Sequence, residues 1–139
     1  MFRRNSKIAL LEEVPLFRGL ARKHLEQVGR LADEIEVRTG RRLVTAGERG
    51  HQLFVIVEGR AVARVGRGRT VRLGPGEFFG EMSLVDGGPC AATVEAATDM
   101  RLLVVGHREF WALLNAAPPL VAKIMATLSR RVRDAETSV

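Results

Sequence analysis

Apolar positions change their period twice along this chain. Ile8, Leu11 and Val14 recur at threes, which predicts a short helix capped by Ser6 and stopped by Pro15. The stretch "LARKHLEQVGRLAD" sets Leu20, Leu25, Val28, Leu31 and Ala32 at helical spacings, a second amphipathic helix. From Glu34 the pattern shortens. "EIEVR", "RLVTAG", "QLFVIVEG", "AVARV", "TVRLG", "AATVEAA" and "MRLLVVG" are β-branched-rich runs separated by glycine-bearing turns. Short strands at steady spacing predict an antiparallel sandwich or barrel. After Gly106 the helical period returns. "HREFWALLN" offers Phe110, Trp111 and Leu114 for burial, and Pro118-Pro119 open a longer helix. There Val121, Ile124, Met125, Leu128 and Val132 form one stripe. Arg130, Arg131 and Arg133 are expected in its last turns, where cations complement the helix dipole.

The 139 residues fit a single domain: N-terminal helices over 1–33, a β region over 34–106, and C-terminal helices over 107–136. With 46% apolar residues, a packed core is expected and disorder is not. No apolar run approaches the roughly 20 residues of a membrane span. Phe2-Arg3-Arg4 is followed by Glu12-Glu13, not by the apolar segment of a signal peptide. The expectation is a soluble, cytoplasmic protein with no membrane partner. One cysteine excludes an internal disulfide and a cysteine-cluster metal site. The net charge of +6 raises nucleic acid as a partner. Its densest basic stretch is Arg60, Arg64, Arg67, Arg69 and Arg72, with no aromatic residues between them to stack on bases. A solvated arginine-rich hairpin is the better reading, and nucleic acid is not expected as a ligand.

The stretch with chemistry in it is "FFGEMSLVDGGPCAATV", Phe78 to Val94. Two aromatics end a strand, and Gly80-Glu81-Met82-Ser83-Leu84-Val85 reads as about one and a half turns of helix. First-turn N–H groups lack helical partners and carry partial positive charge, so they attract an anion, most often a phosphate. Glu81 would repel a bare phosphate. A ligand joining a phosphate to a sugar resolves the conflict, with Glu81 accepting from a ribose hydroxyl. The plainer alternative is a stabilising first-turn acid followed by an ordinary Gly-Gly-Pro turn.

The pattern from "LFRGL" through "GERGHQLFVIVEGRAVARV" and "LGPGEFFGEMSLVDGGPCAATVEAATDMRLLVV" resembles the cyclic nucleotide-binding domain. That family includes catabolite activators and the regulatory subunits of cyclic-AMP-dependent protein kinase. The resemblance covers nearly the whole chain. It implies an α+β, mainly β fold: an antiparallel β jelly roll (a cupin-like double-stranded β-helix) flanked by helices, with a phosphate-binding cassette over 78–94. It implies that Gly80 starts the cassette helix and that Glu81 takes the ribose 2′-hydroxyl. Met82 would line the pocket, and the N–H groups of Ser83 and Ala91 would bind the cyclic phosphate, with Cys90 and Ala92 beside them. Threonine at the position of Ala91 marks cyclic-GMP-selective members, so alanine implies cyclic AMP, with cyclic GMP second. Thr127 and Ser129 are the last helix's candidates for the base, or else exposed helix surface.

One position departs from the family. Arginine ordinarily follows that proline and pairs with the phosphate; here Cys90 stands in its place and supplies no fork of donors. Losing a charge-assisted hydrogen bond implies affinity lower by roughly ten- to more than a hundredfold. Cys90 is open to three readings: a natural divergence, an introduced substitution, or a redox thiol. His51 stands where kinase subunits carry an acid that orients the arginine; protonated, it would return positive charge near the phosphate. The expected function is a non-enzymatic sensor with no cofactor, its ligand cyclic AMP. Its last helix would act as lid or as homodimer seam for an unknown effector. The rival readings are a nucleotide-independent interaction module and the sensor half of a transcription regulator. An enzyme is not expected, because His24, His51 and His107 are scattered and no triad presents itself.

Overall fold

A computed structural model describes residues 2–66 and 68–137; Arg67 of the arginine-rich hairpin lies outside them. In chain order the elements are α1 (Phe2–Glu13), α2 (Arg22–Leu31), β1 (Ala32–Val37), β2 (Arg42–Val44), β3 (Gln52–Glu58), β4 (Ala61–Val65) and β5 (Arg69–Leu73). There follow β6 (Phe78–Phe79), α3 (Glu81–Asp86), β7 (Ala92–Ala96), β8 (Met100–Gly106), α4 (His107–Ala116) and α5 (Pro118–Thr137). The strands form two four-stranded antiparallel sheets, ordered β1-β8-β3-β6 and β2-β7-β4-β5. The nested pairs 1–8, 2–7, 3–6 and 4–5 are the connectivity of a jelly roll, as the resemblance implied.

Two strands carry the fold's centre, and their sequences say why. β3 and β8 hold the runs "LFVI" and "LLVV", because each buries both faces. Phe54, Ile56, Leu102 and Val104 point into the roll with Ala61, Ala63, Leu73, Phe79 and Val94. Leu53, Val55, Leu103 and Val105 point out, under a helical layer of Leu11, Phe17, Leu25, Val28, Phe110, Leu113, Leu120 and Ile124. The sheet containing β4 has no such cover. Its strands alternate, with Ala61 and Ala63 inward and Arg64 exposed beside Glu95 at 3.2 Å.

Several boundaries differ from the sequence expectation. α1 begins at Phe2, so Ser6 lies inside the helix and is not its cap; the apolar spacing fixes a helix face but not its first turn. Ala32 and Asp33 belong to β1, paired with Val105 and Val104, so the helix-to-strand change comes two residues before Glu34. Of the residues α4 was expected to bury, Phe110 is in the core, Leu114 is half-buried against it, and Trp111 is not a core residue. Phe110 and Leu113 take the buried positions, while Trp111 stays 39% exposed with its indole N–H donating to the Leu84 carbonyl at 3.2 Å. α5 runs through Thr137 with no basic residue in its last turn, so its arginines do not cap the dipole. Among the described residues no single helix is long and apolar enough to cross a membrane.

Candidate functional site

The site is built where β6 turns into α3. Phe78 and Phe79 pair with Val55 and Phe54 of β3, and the rings of Phe54 and Phe79 stack at 5.0 Å. The chain then reverses at Gly80, with φ of 91°. A Cβ at that position would lie 2.6 Å from the Gln52 carbonyl oxygen, so only glycine lets the backbone pass so close to β3. α3 buries Glu81, Ser83 and Leu84, and ends at Gly87, whose N–H donates to the Ser83 carbonyl at 3.0 Å. Met82 and Val85 occupy its opposite face and are each about half exposed. The following turn is tied by Ser83 Oγ donating to Gly88 O (2.8 Å) and Gly88 N donating to Asp86 Oδ1 (2.8 Å).

A second segment, residues 45–51, closes on this turn. Cys90 N donates to Glu48 O at 2.8 Å, Gly47 N donates to Cys90 O at 2.9 Å, and Arg49 bridges Pro89 in antiparallel fashion. Gly50 sits so tightly that a Cβ there would be 3.1 Å from Cys90 Sγ. The Cys90 thiol is buried and lies 3.4 Å from Ser83 Oγ. Between the two segments opens a cleft of about 190 Å³, bordered by Val44, Arg49, His51, Phe54, Gly80 and Cys90 among others. Pockets that enclose drug-sized ligands run from about 300 Å³ upward, so a nucleotide requires some opening.

Glu81 is 5% exposed and does not border that cleft. Its Oε1 accepts from Arg131 Nη1 at 2.7 Å, fifty residues along the chain on α5. The same guanidinium donates to the Phe78 carbonyl and lies over the Phe78 ring, 4.6 Å from its centroid. α5 is thus fastened to the start of the cassette by an ion pair, a hydrogen bond and a cation–π contact.

The structure therefore brings together Gly80, Cys90 and His51, with Ser83 directly behind the thiol. Ala91 is exposed and Ala92 half-buried at the entry to β7, and neither borders the cleft. Met82 does not border it either, because one residue beyond Glu81 a helix has turned its side chain to the other face. Thr127 Oγ1 donates to the Lys123 carbonyl of its own helix, and Ser129 is exposed beside Met125 and Val132; both lie away from the cleft. Sequence reasoning missed Arg131 and Arg49. Nothing local marks Arg131, since its partner is remote, whereas Arg49 stands two residues from His51 and was within reach of the same argument.

The model of the cyclic nucleotide-binding domain matches residues 34–117. A cyclic nucleotide-gated potassium channel of Rhizobium etli is 38% identical over 88% of this chain and 34% of its own length. A cAMP-dependent protein kinase regulatory subunit of Mycosarcoma maydis is 37% identical over 76% of this chain and 22% of its own length. The crystal structure of Thermus thermophilus catabolite activator protein superimposes with a TM-score of 0.79 at 32% identity, covering 89% of this chain and 61% of that one. The chain belongs to the cyclic nucleotide-binding domain family. It spans between 22% and 59% of the length of the first curated relatives it matches.

Proposed function

We propose that this domain is a regulatory sensor, not an enzyme, which binds cyclic AMP in preference to cyclic GMP and passes occupancy of its cleft to α5. The observation that carries the reading is the Glu81–Arg131 pair. A carboxylate can accept about four hydrogen bonds, and Arg131 engages only Oε1. A ribose hydroxyl reaching Glu81 would meet the helix's arginine on one carboxylate, so ligand occupancy and α5 docking become linked free energies. Ala91, which carries no hydroxyl for guanine, favours the adenine nucleotide. Cys90 lowers the affinity without removing the sugar contact.

Protein NMR titration of the chain with each nucleotide tests this. Cyclic AMP is expected to shift resonances of Gly80, Glu81 and Arg131 and to saturate at lower concentration than cyclic GMP. No response to either, in this chain and in Cys90→Arg alike, would overturn the sensor reading.

A second reading has its own observation. Met125 and Val132 leave 61% and 57% of their surface exposed on α5, beside half-buried Leu128. This strip favours an interaction or homodimer seam that operates with or without nucleotide. Sedimentation of the chain and of Val132→Glu would decide it: a concentration-dependent dimer lost in the variant supports the seam, and a monomer throughout rejects it.

A further inference from the structure

Resting on the reading of the cleft as a cyclic nucleotide site, we propose that Arg49 supplies the cation for the ligand's phosphate that residue 90 does not. The argument begins from what residue 90 can offer. Its thiol is turned inward against Ser83 Oγ and is one weak donor at best. A phosphodiester brought to Gly80 and Cys90 therefore needs its positive charge from elsewhere on the cleft's border.

Arg49 is placed to give it. It borders the same cleft as Gly80 and Cys90. Its backbone is held opposite Pro89, one residue from Cys90, by the antiparallel bridge. The donations from Cys90 N to Glu48 O and from Gly47 N to Cys90 O flank that bridge and fix the loop. Residues opposed in an antiparallel pair have Cα atoms about 4.5–5.5 Å apart, a separation that an arginine stem spans easily. The close approach of Gly50 to Cys90 Sγ and Ser83 keeps the loop seated on the cassette turn.

The guanidinium is also uncommitted. Arg49 is exposed, and among the described residues it has no acid within 4.0 Å. Glu48, the cleft's acid, is therefore farther than that from it. A guanidinium presents five donors in a planar fork that matches phosphate oxygens, and it remains charged at any physiological pH. Arginine in this loop thus takes over the charge that position 90 does not supply. Because its head is in solvent, its attraction for phosphate is weaker and more easily screened by salt than that of a buried arginine.

The test is Arg49→Gln, which preserves length and removes charge, made in the chain as it stands and in Cys90→Arg. Each form is titrated with cyclic AMP and with adenosine, the same sugar and base without phosphate. In the chain with Cys90, Arg49→Gln is expected to weaken cyclic AMP about fivefold or more, to leave adenosine within about twofold, and to flatten the salt dependence of cyclic AMP binding. In the Cys90→Arg background the loss should shrink, because the arginine at position 90 then holds the phosphate. Equal cyclic AMP affinity with and without Arg49, or an equal loss for adenosine, overturns the assignment. So does cyclic AMP binding that appears only in Cys90→Arg. Binding absent from every form rejects the sensor reading itself, and the assignment with it.

Discussion

The two ends of the cassette are built on opposite plans. At its Glu81 end a buried carboxylate is already paired, and its partner comes from the last helix. At its Cys90 end the buried side chains are a hydroxyl and a thiol, and the basic residues of the loop packed on it, Arg49 and His51, are exposed. A buried charge demands a partner wherever the chain can supply one, so Glu81 reached fifty residues away. A buried Ser83–Cys90 contact makes no such demand, and that end could lose its charge without unsettling the fold. Glu81 is thus tied to the packing of the last helix, whereas among the described residues the arginine beside Cys90 is tied to nothing but its loop.

Gly80 joins both ends, so its substitution has the largest expected effect. Gly80→Ala forces a side chain to positive φ against the Gln52 carbonyl. The expected cost is about 3 kcal/mol, or roughly 10 °C in Tm by thermal melting, with nucleotide binding lost. An unchanged Tm would mean that the turn is not held as described. Next comes Cys90→Arg, which equips the Cys90 end with a fork of donors. Cyclic AMP affinity should rise at least about tenfold by calorimetry, and a flat response would show that the two ends do not differ through charge. Glu81→Ala in that arginine form should then reverse part of the gain, and unchanged affinity would remove the ribose assignment.

Smaller effects test the connection of the Glu81 end to α5. Arg131 is one-third exposed, so Arg131→Ala should cost about 1 kcal/mol. It should raise hydrogen exchange in the C-terminal half of α5 about fivefold, while exchange in β3 and β8 stays constant. Equal exchange in both proteins would mean that the guanidinium does not fasten the helix. Smallest of all is Arg42→Ala on the solvent-facing sheet, where Glu95 keeps Arg64 at 3.2 Å after Arg42 at 3.9 Å is removed. Stability should move by less than about 0.5 kcal/mol in denaturant titration, and ligand affinity not at all.

Much of this was legible in order along the chain. The seven strand runs and the helices around them stand close to where periodicity put them, because apolar period is a local consequence of which faces are buried. "LFVI" and "LLVV" even announce that β3 and β8 are covered on both sides. The cassette's Gly80 and Glu81 were readable as a tight start and a first-turn acid. Phe110 was readable as a core residue; the burial of Leu113 and the exposure of Trp111 were not, because a small rotation of a helix leaves its apolar composition unchanged.

The sequence by itself determined the local grammar: which segments are helix or strand, where glycine is obligatory, and which residue breaks the family's charge pattern at position 90. Tertiary structure alone decided who meets whom. Arg131 on Glu81 and Arg49 beside Cys90 are contacts between segments fifty and about forty residues apart. No spacing rule encodes them, since they exist only after the roll closes and the desolvation of one carboxylate selects its partner.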